Sequence, residues 1–168
     1  MSKTQSKGPN TEGNERKIVT FTLGQQMFGI DMRALIEIRE WEEPTPLPSV
    51  PAYVKGVTNL RGSVVPVVGL AERLGWTPSV LHSRSCILVV AIGQRQAGFL
   101  VDEVADIVAI DSADIQPAPD VEVSDESAIA GLVRIERRTS DAGQAETMVL
   151  LLDLDALSLT RHLMDLAA

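Results

Sequence analysis

Residues 19–38 read VTFTLGQQMFGIDMRALIEI, and residues 88–107 read LVVAIGQRQAGFLVDEVADI. Laid one above the other without a gap, Gly24-Gln25 falls on Gly93-Gln94, Gly29 on Gly98 and Ile38 on Ile107. In each copy an apolar run ends at a glycine, a polar turn follows, and a second apolar run begins. That is the pattern of a strand, a tight turn and a second strand, with Gly24 and Gly93 as turn residues. RALIEIRE (33–40) is short and rich in β-branched residues, which predicts a turn followed by a further strand. Two copies are too few for a solenoid. Two small units of about five short strands each fit better, each closing into a barrel that hides its edges. A barrel of that size has a thin core, so the two are expected to bury an apolar face against each other.

The duplication continues outward. KGVTNLRGSVVPVVGL (55–70) echoes AGLVRI (130–135) and TMVLLLDL (147–154), with Gly56 over Gly131 and a longer polar loop, RRTSDAGQA (137–145), in the second copy. Pro66 cannot donate to a ladder, which predicts an edge strand or a bulge there. EEPTPLPSVP (42–51) carries Pro44, Pro46, Pro48 and Pro51 and predicts an extended loop. LAERLGW (70–76) reads as a short helix ending at Gly75. SADIQPAPDVEVSDES (112–127) reads as a loop with one helical turn, and ALSLTRHLMDLAA (156–168) as a weakly amphipathic closing helix. Residues 1–16 are polar and aperiodic and are expected to form a disordered tail. The folded domain is expected over 17–160, as one subdomain over roughly 17–80 and a second over roughly 81–158.

Composition narrows the function. The 168 residues are 45% hydrophobic and carry a net charge of −8, with only 4% aromatics. An acidic chain short of aromatics is ill suited to phosphate backbones or base stacking, so no nucleic-acid partner is expected. The one cysteine, Cys86, lies in the apolar run CILVVAI and reads as core. His82 and His162 are isolated, and Asp102-Glu103 and Asp153/Asp155 lack a second catalytic component, so neither a metal site nor a catalytic pair is expected. No glycine-rich nucleotide loop is present, and no cofactor is expected. The start of the chain has no signal-peptide core, and no apolar run approaches the roughly 18 residues of a membrane span, which predicts a cytoplasmic protein without membrane insertion.

FTLGQQMFGID, IEIRE, PAYVKGVTNLRGSVVPVVGL, GFLVDEVADIV and VLLLDLDAL occur in the order and spacing of a known family, from about Lys17 to Leu157. On these pieces the chain resembles the CheW family, the adaptors of bacterial chemotaxis. KGVTNLRG followed by a V-P-V strand is the most specific match. The resemblance implies an all-β fold of two SH3-like five-stranded barrels around a shared apolar core, with short helices. It also implies a non-enzymatic adaptor that links the cytoplasmic tips of chemoreceptors to the regulatory domain of a CheA-type histidine kinase, recruited to membrane-associated receptor arrays. Gly69 stands where the family usually has an acid, and Ile36 where a polar residue is often found. The loop at 137–145 is longer than in compact members.

Arg61-Gly62 sits at the bend of an otherwise apolar hairpin. Gly62 explains the bend through its freedom at positive φ. Many residues would tolerate the corner, so the turn alone does not explain an arginine. A planar guanidinium held at the lip of an apolar surface can bind a carboxylate in bidentate fashion, and the family's arginine matches at Arg61. Lys55-Gly56 reads either as a solvated lysine beside a close strand approach or as part of a receptor-facing groove. Glu37 reads as an outward strand residue or an interface residue. Leu35, Ile38, Val57, Leu60, Val101 and Val108 each suit a core, yet a groove that takes an amphipathic helical tip must be lined by some such residues. The resemblance extends the partner-binding set to Gly56 and Asn59. Two rival readings remain: a similar adaptor in a chemosensory circuit for another output such as twitching, and a small β-barrel enzyme or ligand sensor, which would need an enclosed polar cavity between the barrels.

Overall fold

The computed structural model describes residues 14–117, 128–139 and 143–157. The strands, in chain order, are β1 Glu15–Leu23, β2 Gln26–Asp31, β3 Leu35–Glu40, β4 Val54–Leu60, β5 Ser63–Gly69, β6 Cys86–Ile92, β7 Arg95–Val101, β8 Glu103–Asp111, β9 Ile129–Thr139 and β10 Gly143–Leu152. Two short helices, α1 Leu70–Arg73 and α2 Leu154–Leu157, and 3-10 turns at Met32–Ala34 and Ser112–Asp114 complete the set. One five-stranded sheet runs β8-β1-β2-β10-β9 and the other β3-β6-β7-β5-β4. The two orders are the same once β1–β2 is matched to β6–β7, β3 to β8, and β4–β5 to β9–β10. Among the described residues no helix is long and apolar enough to cross a membrane.

The boundary expected near residue 80 is corrected by this order. The β1–β2 hairpin forms its sheet with β8, β9 and β10, while β3, β4 and β5 join β6 and β7. Each barrel takes a hairpin from one half of the chain and three strands from the other. A repeat shows which pieces are equivalent. It does not show which copy they pair with, because both copies offer the same apolar pattern.

The exchange explains why CILVVAI is apolar without interruption. Ile87 and Val89 point into their own barrel with Leu60, Val65 and Val67. Cys86, Leu88, Val90 and Ile92 point the other way, into a core shared with Val19, Phe21, Leu23, Phe28 and Ile30 of the first sheet. Buried on both faces, such a strand has no polar side to alternate with. The first barrel has its own interior of Ile18, Met27, Ile110, Val133, Ile135, Val149 and Leu151. Cys86 is buried as expected.

Both hairpin turns are two residues long. Leu23 pairs with Gln26 and Ile92 with Arg95, while Gly24 and Gly93 take φ of 61° and 63°. Each barrel is closed by the loop that follows its edge strand. Thr45 bridges Val57 through two hydrogen bonds of 2.8 Å, and Gln116 bridges Leu132 through bonds of 2.7 and 2.8 Å. Beside each bridge sits the glycine matched by the repeat. A Cβ on Gly56, whose φ is 146°, would collide with the Thr45 carbonyl oxygen, and one on Gly131 would lie 2.9 Å from that of Gln116.

Other expectations change at their ends. Residues 15 and 16 belong to β1, paired with Asp111 and Ile110, because β8 extends far enough to receive them. Residues 1–13 of the expected tail lie outside the described residues. Pro66 is not on an edge: β5 lies between β4 and β7, and pairing with β7 begins at Val67, one residue past the proline. The β4–β5 ladder bulges between Val54 and Gly56 instead. The polar loop at 137–145 is mostly ladder, since β9 runs to Thr139 and β10 starts at Gly143. Of the closing helix only α2 is described, and 158–168 lie outside the described residues.

Candidate functional site

Leu60 pairs with Ser63, leaving Arg61 and Gly62 as a two-residue turn between β4 and β5. Gly62 has the positive φ expected of it, 88°, but Arg61 is also left-handed, at 52°. Both central residues of a type I′ turn need positive φ, and this turn matches the twist of the flanking strands. Asn59 supports the bend by accepting the Gly62 N–H on Oδ1 at 2.9 Å. A non-glycine residue in this region costs about 1–2 kcal/mol. Arginine is therefore kept here against local preference.

The Arg61 side chain is 74% exposed and its Nη1 lies 2.6 Å from Glu37 Oε1. The other oxygen, Glu37 Oε2, accepts from Arg39 Nη1 at 2.9 Å. Glu37 itself is only 18% exposed. The hydrogen bond from Arg39, and then the one from Arg61, hold its carboxyl below the usual carboxylate range. On either side of it along β3, Ile36 and Ile38 face outward, 42% and 45% exposed. Ile36 is the extra residue of a bulge, since Leu35 pairs with Val90 and Glu37 with Val89. The result is a fixed charge network flanked by two exposed isoleucines, on an edge strand.

Arg39 was not singled out from sequence, although alternation in LIEIRE puts it on the same side as Glu37. Its place predicts a titration. With its folded pKa lowered, Glu37 stays ionised through neutral pH, and the network's contribution is lost as pH falls through that lowered value. By carbon-detected NMR, the Glu37 carboxyl is expected to titrate below the ordinary glutamate value. It should move up in Arg39→Gln, and by less in Arg61→Gln. A Glu37 that titrates alike in all three proteins would contradict the network.

Lys55 is also engaged within the chain. Its Nζ lies 2.5 Å from Glu72 Oε1 of α1, and Glu72 is largely buried. The pair packs over Gly69, where a Cβ would meet Glu72 Oε1 and stand 2.9 Å from Lys55 Cε. Glycine at 69 thus makes room for an acid supplied three residues later. Nothing in the local pattern of β4 pointed to Glu72, because the partner comes from another element.

The remaining candidates divide by burial. Val101 is sealed in the shared core and Leu60 in the second barrel, which corrects their placement on a binding surface: each fills a barrel and neither presents its side chain. Leu35 is half-buried and packs on the shared core, and Val108 is half-buried over the interior of the first barrel. Gly56 is occupied by the closing bridge. Arg61, Glu37, Asn59 and Ile38 are brought to one corner, where β3 meets the β4–β5 turn. Lys55 lies farther along β4, against α1.

Comparison with known proteins places this geometry. Residues 17–161 match the family model described as a CheW-like domain. The chain is similar to the chemotaxis protein CheW of Rhizobium meliloti (strain 1021), 39% identical over 142 residues, covering 84% of this chain and 86% of that one. It is similar to the CheW of Klebsiella aerogenes, 31% identical with 84% and 81% covered. Protein FrzA of Myxococcus xanthus is 31% identical over 105 residues, with 62% and 66% covered. Among solved structures, the scaffolding protein TtCheW from Thermoanaerobacter tengcongensis superposes with a TM-score of 0.72 at 30% identity, over 84% of this chain and 91% of that one.

Proposed function

The chain belongs to the family of CheW-like domains, and from that premise we propose that it is a non-enzymatic adaptor coupling chemoreceptor tips to a CheA-type histidine kinase. The observation that carries this reading is the strained Arg61 turn. A surface arginine held in the left-handed region at a local cost, pinned by a carboxylate and flanked by exposed isoleucines, has no chemistry of its own to perform. It suits a surface that recognises another protein by a few fixed polar contacts beside apolar ones. Two modest contacts on one small body raise the effective concentration of each partner for the other, and no catalytic step is needed. The reading also places the protein at membrane-associated arrays through its partners.

Isothermal titration calorimetry against a purified receptor cytoplasmic hairpin and a purified kinase regulatory domain tests this. Binding to both is expected, at micromolar strength or tighter. Binding to neither removes the adaptor reading.

A further inference from the structure

The two barrels differ at one place where the repeat would make them alike. In the second barrel Glu37 pairs with Val89 and β3 bulges at Ile36; in the first, Asp106 pairs with Thr20 and β8 bulges at Ala105. On the hairpins, Val57 faces Pro66 and bridges Thr45, while Leu132 faces Leu150 and bridges Gln116. Counted from these anchors, Asp106 takes the place of Glu37, Val108 that of Arg39, and Glu136 that of Arg61. The seam that holds two arginines in one barrel has a valine and an acid at the same positions in the other.

The consequence is space and charge. In the second barrel the space beneath Arg39, lined by Leu60, Val65, Val67, Ile87 and Val89, is only about 10 Å³. In the first, a groove of about 420 Å³ remains, walled by Met27, Val108 and Ile135 and bordered by Asp106 and Glu136. Both acids are exposed, and among the described residues neither has a basic partner. Asp106 accepts the N–H of Ile107, and Arg134 on the same hairpin is directed to Glu146, at 3.7 Å. The groove opens along β8, the edge strand of its sheet.

We propose that this open seam takes an arginine or lysine side chain from a partner protein. The aliphatic stem lies along Met27, Val108 and Ile135, and the cationic head sits between Asp106 and Glu136. The chain contains the complement of its own groove: a guanidinium set against a carboxylate is what the equivalent seam already holds. The net charge of −8 favours approach of a basic segment. This assignment rests on the adaptor reading, since it names the chemistry by which one of the partners is held.

The test is the double variant Asp106→Asn/Glu136→Gln, neutral and near-isosteric at two exposed positions. It is titrated with the receptor hairpin and with the kinase domain at low and high salt. The affinity for one of the two is expected to fall about tenfold at low salt, as loss of a charge-assisted contact requires, with a flatter salt dependence. The other partner should bind as before. Unchanged binding of both overturns the proposal. So does a variant that changes only self-association in sedimentation, which would make a second copy the occupant. If the wild-type chain binds neither partner, the adaptor reading fails and the groove is judged alone, by NMR with acetyl-Leu-Arg-Leu-amide. Shifts at Thr20, Val108 and Ile135 that are absent with the Gln peptide and in the double variant support the groove; no shifts, or equal shifts with Gln, refute it.

Discussion

Gly56→Ala is expected to lower stability by about 3–5 kcal/mol, among the larger effects available to a single methyl group. Two causes act together. At φ 146° the backbone is in a region that side chains rarely adopt, and the added Cβ would strike the Thr45 carbonyl. Relief requires Thr45 to move, which breaks both 2.8 Å bonds that close the barrel onto Val57. At roughly 2–4 °C per kcal/mol for a chain of this size, the melting temperature should fall by about 6–20 °C. Gly24→Ala is the control. It shares a positive φ, 61°, but its Cβ meets nothing within 4 Å. Strain alone then acts, at about 1–2 kcal/mol. Calorimetry on both variants separates collision from strain. Equal melting temperatures would mean that the bridge at Thr45 does not close the barrel.

Arg61→Asn is expected to move stability and binding in opposite directions. Asparagine followed by glycine is the preferred pair for a type I′ turn, so relief of the left-handed arginine should outweigh the loss of an exposed ion pair, with a gain of up to about 1 kcal/mol. Receptor or kinase affinity should fall about 10- to 100-fold, the size of a desolvated charge-assisted contact. A residue kept only for its ion pair with Glu37 would show a loss of stability and no loss of affinity. Unchanged affinity for both partners would remove Arg61 from the interface.

The duplication, the hairpins with their glycines and the buried character of CILVVAI are legible in the sequence because each rests on local pattern. Gly56 and Gly131 stand out from the alignment of the copies, although the reason for them, a carbonyl from the closing loop, appears only in the fold. Two things are hidden for a common reason. The exchange of strands between halves and the pairing of Lys55 with Glu72 both depend on which element arrives alongside, and side-chain pattern within one element does not record its neighbour. Arg61 lies between these cases. Its position in the turn can be read from the sequence, whereas its left-handed backbone and the carboxylate beneath it cannot. Leu60 and Val101 show the opposite failure, since an apolar residue near a presumed groove looks the same whether it lines the surface or the core.

A mixture of the chain with a receptor hairpin and a kinase regulatory domain, separated by size exclusion with light scattering, asks whether one small body holds two partners at once. A single species with the summed mass of all three is expected, absent when the chain is left out. Only binary species, with one partner displacing the other, would contradict an adaptor with two separate surfaces.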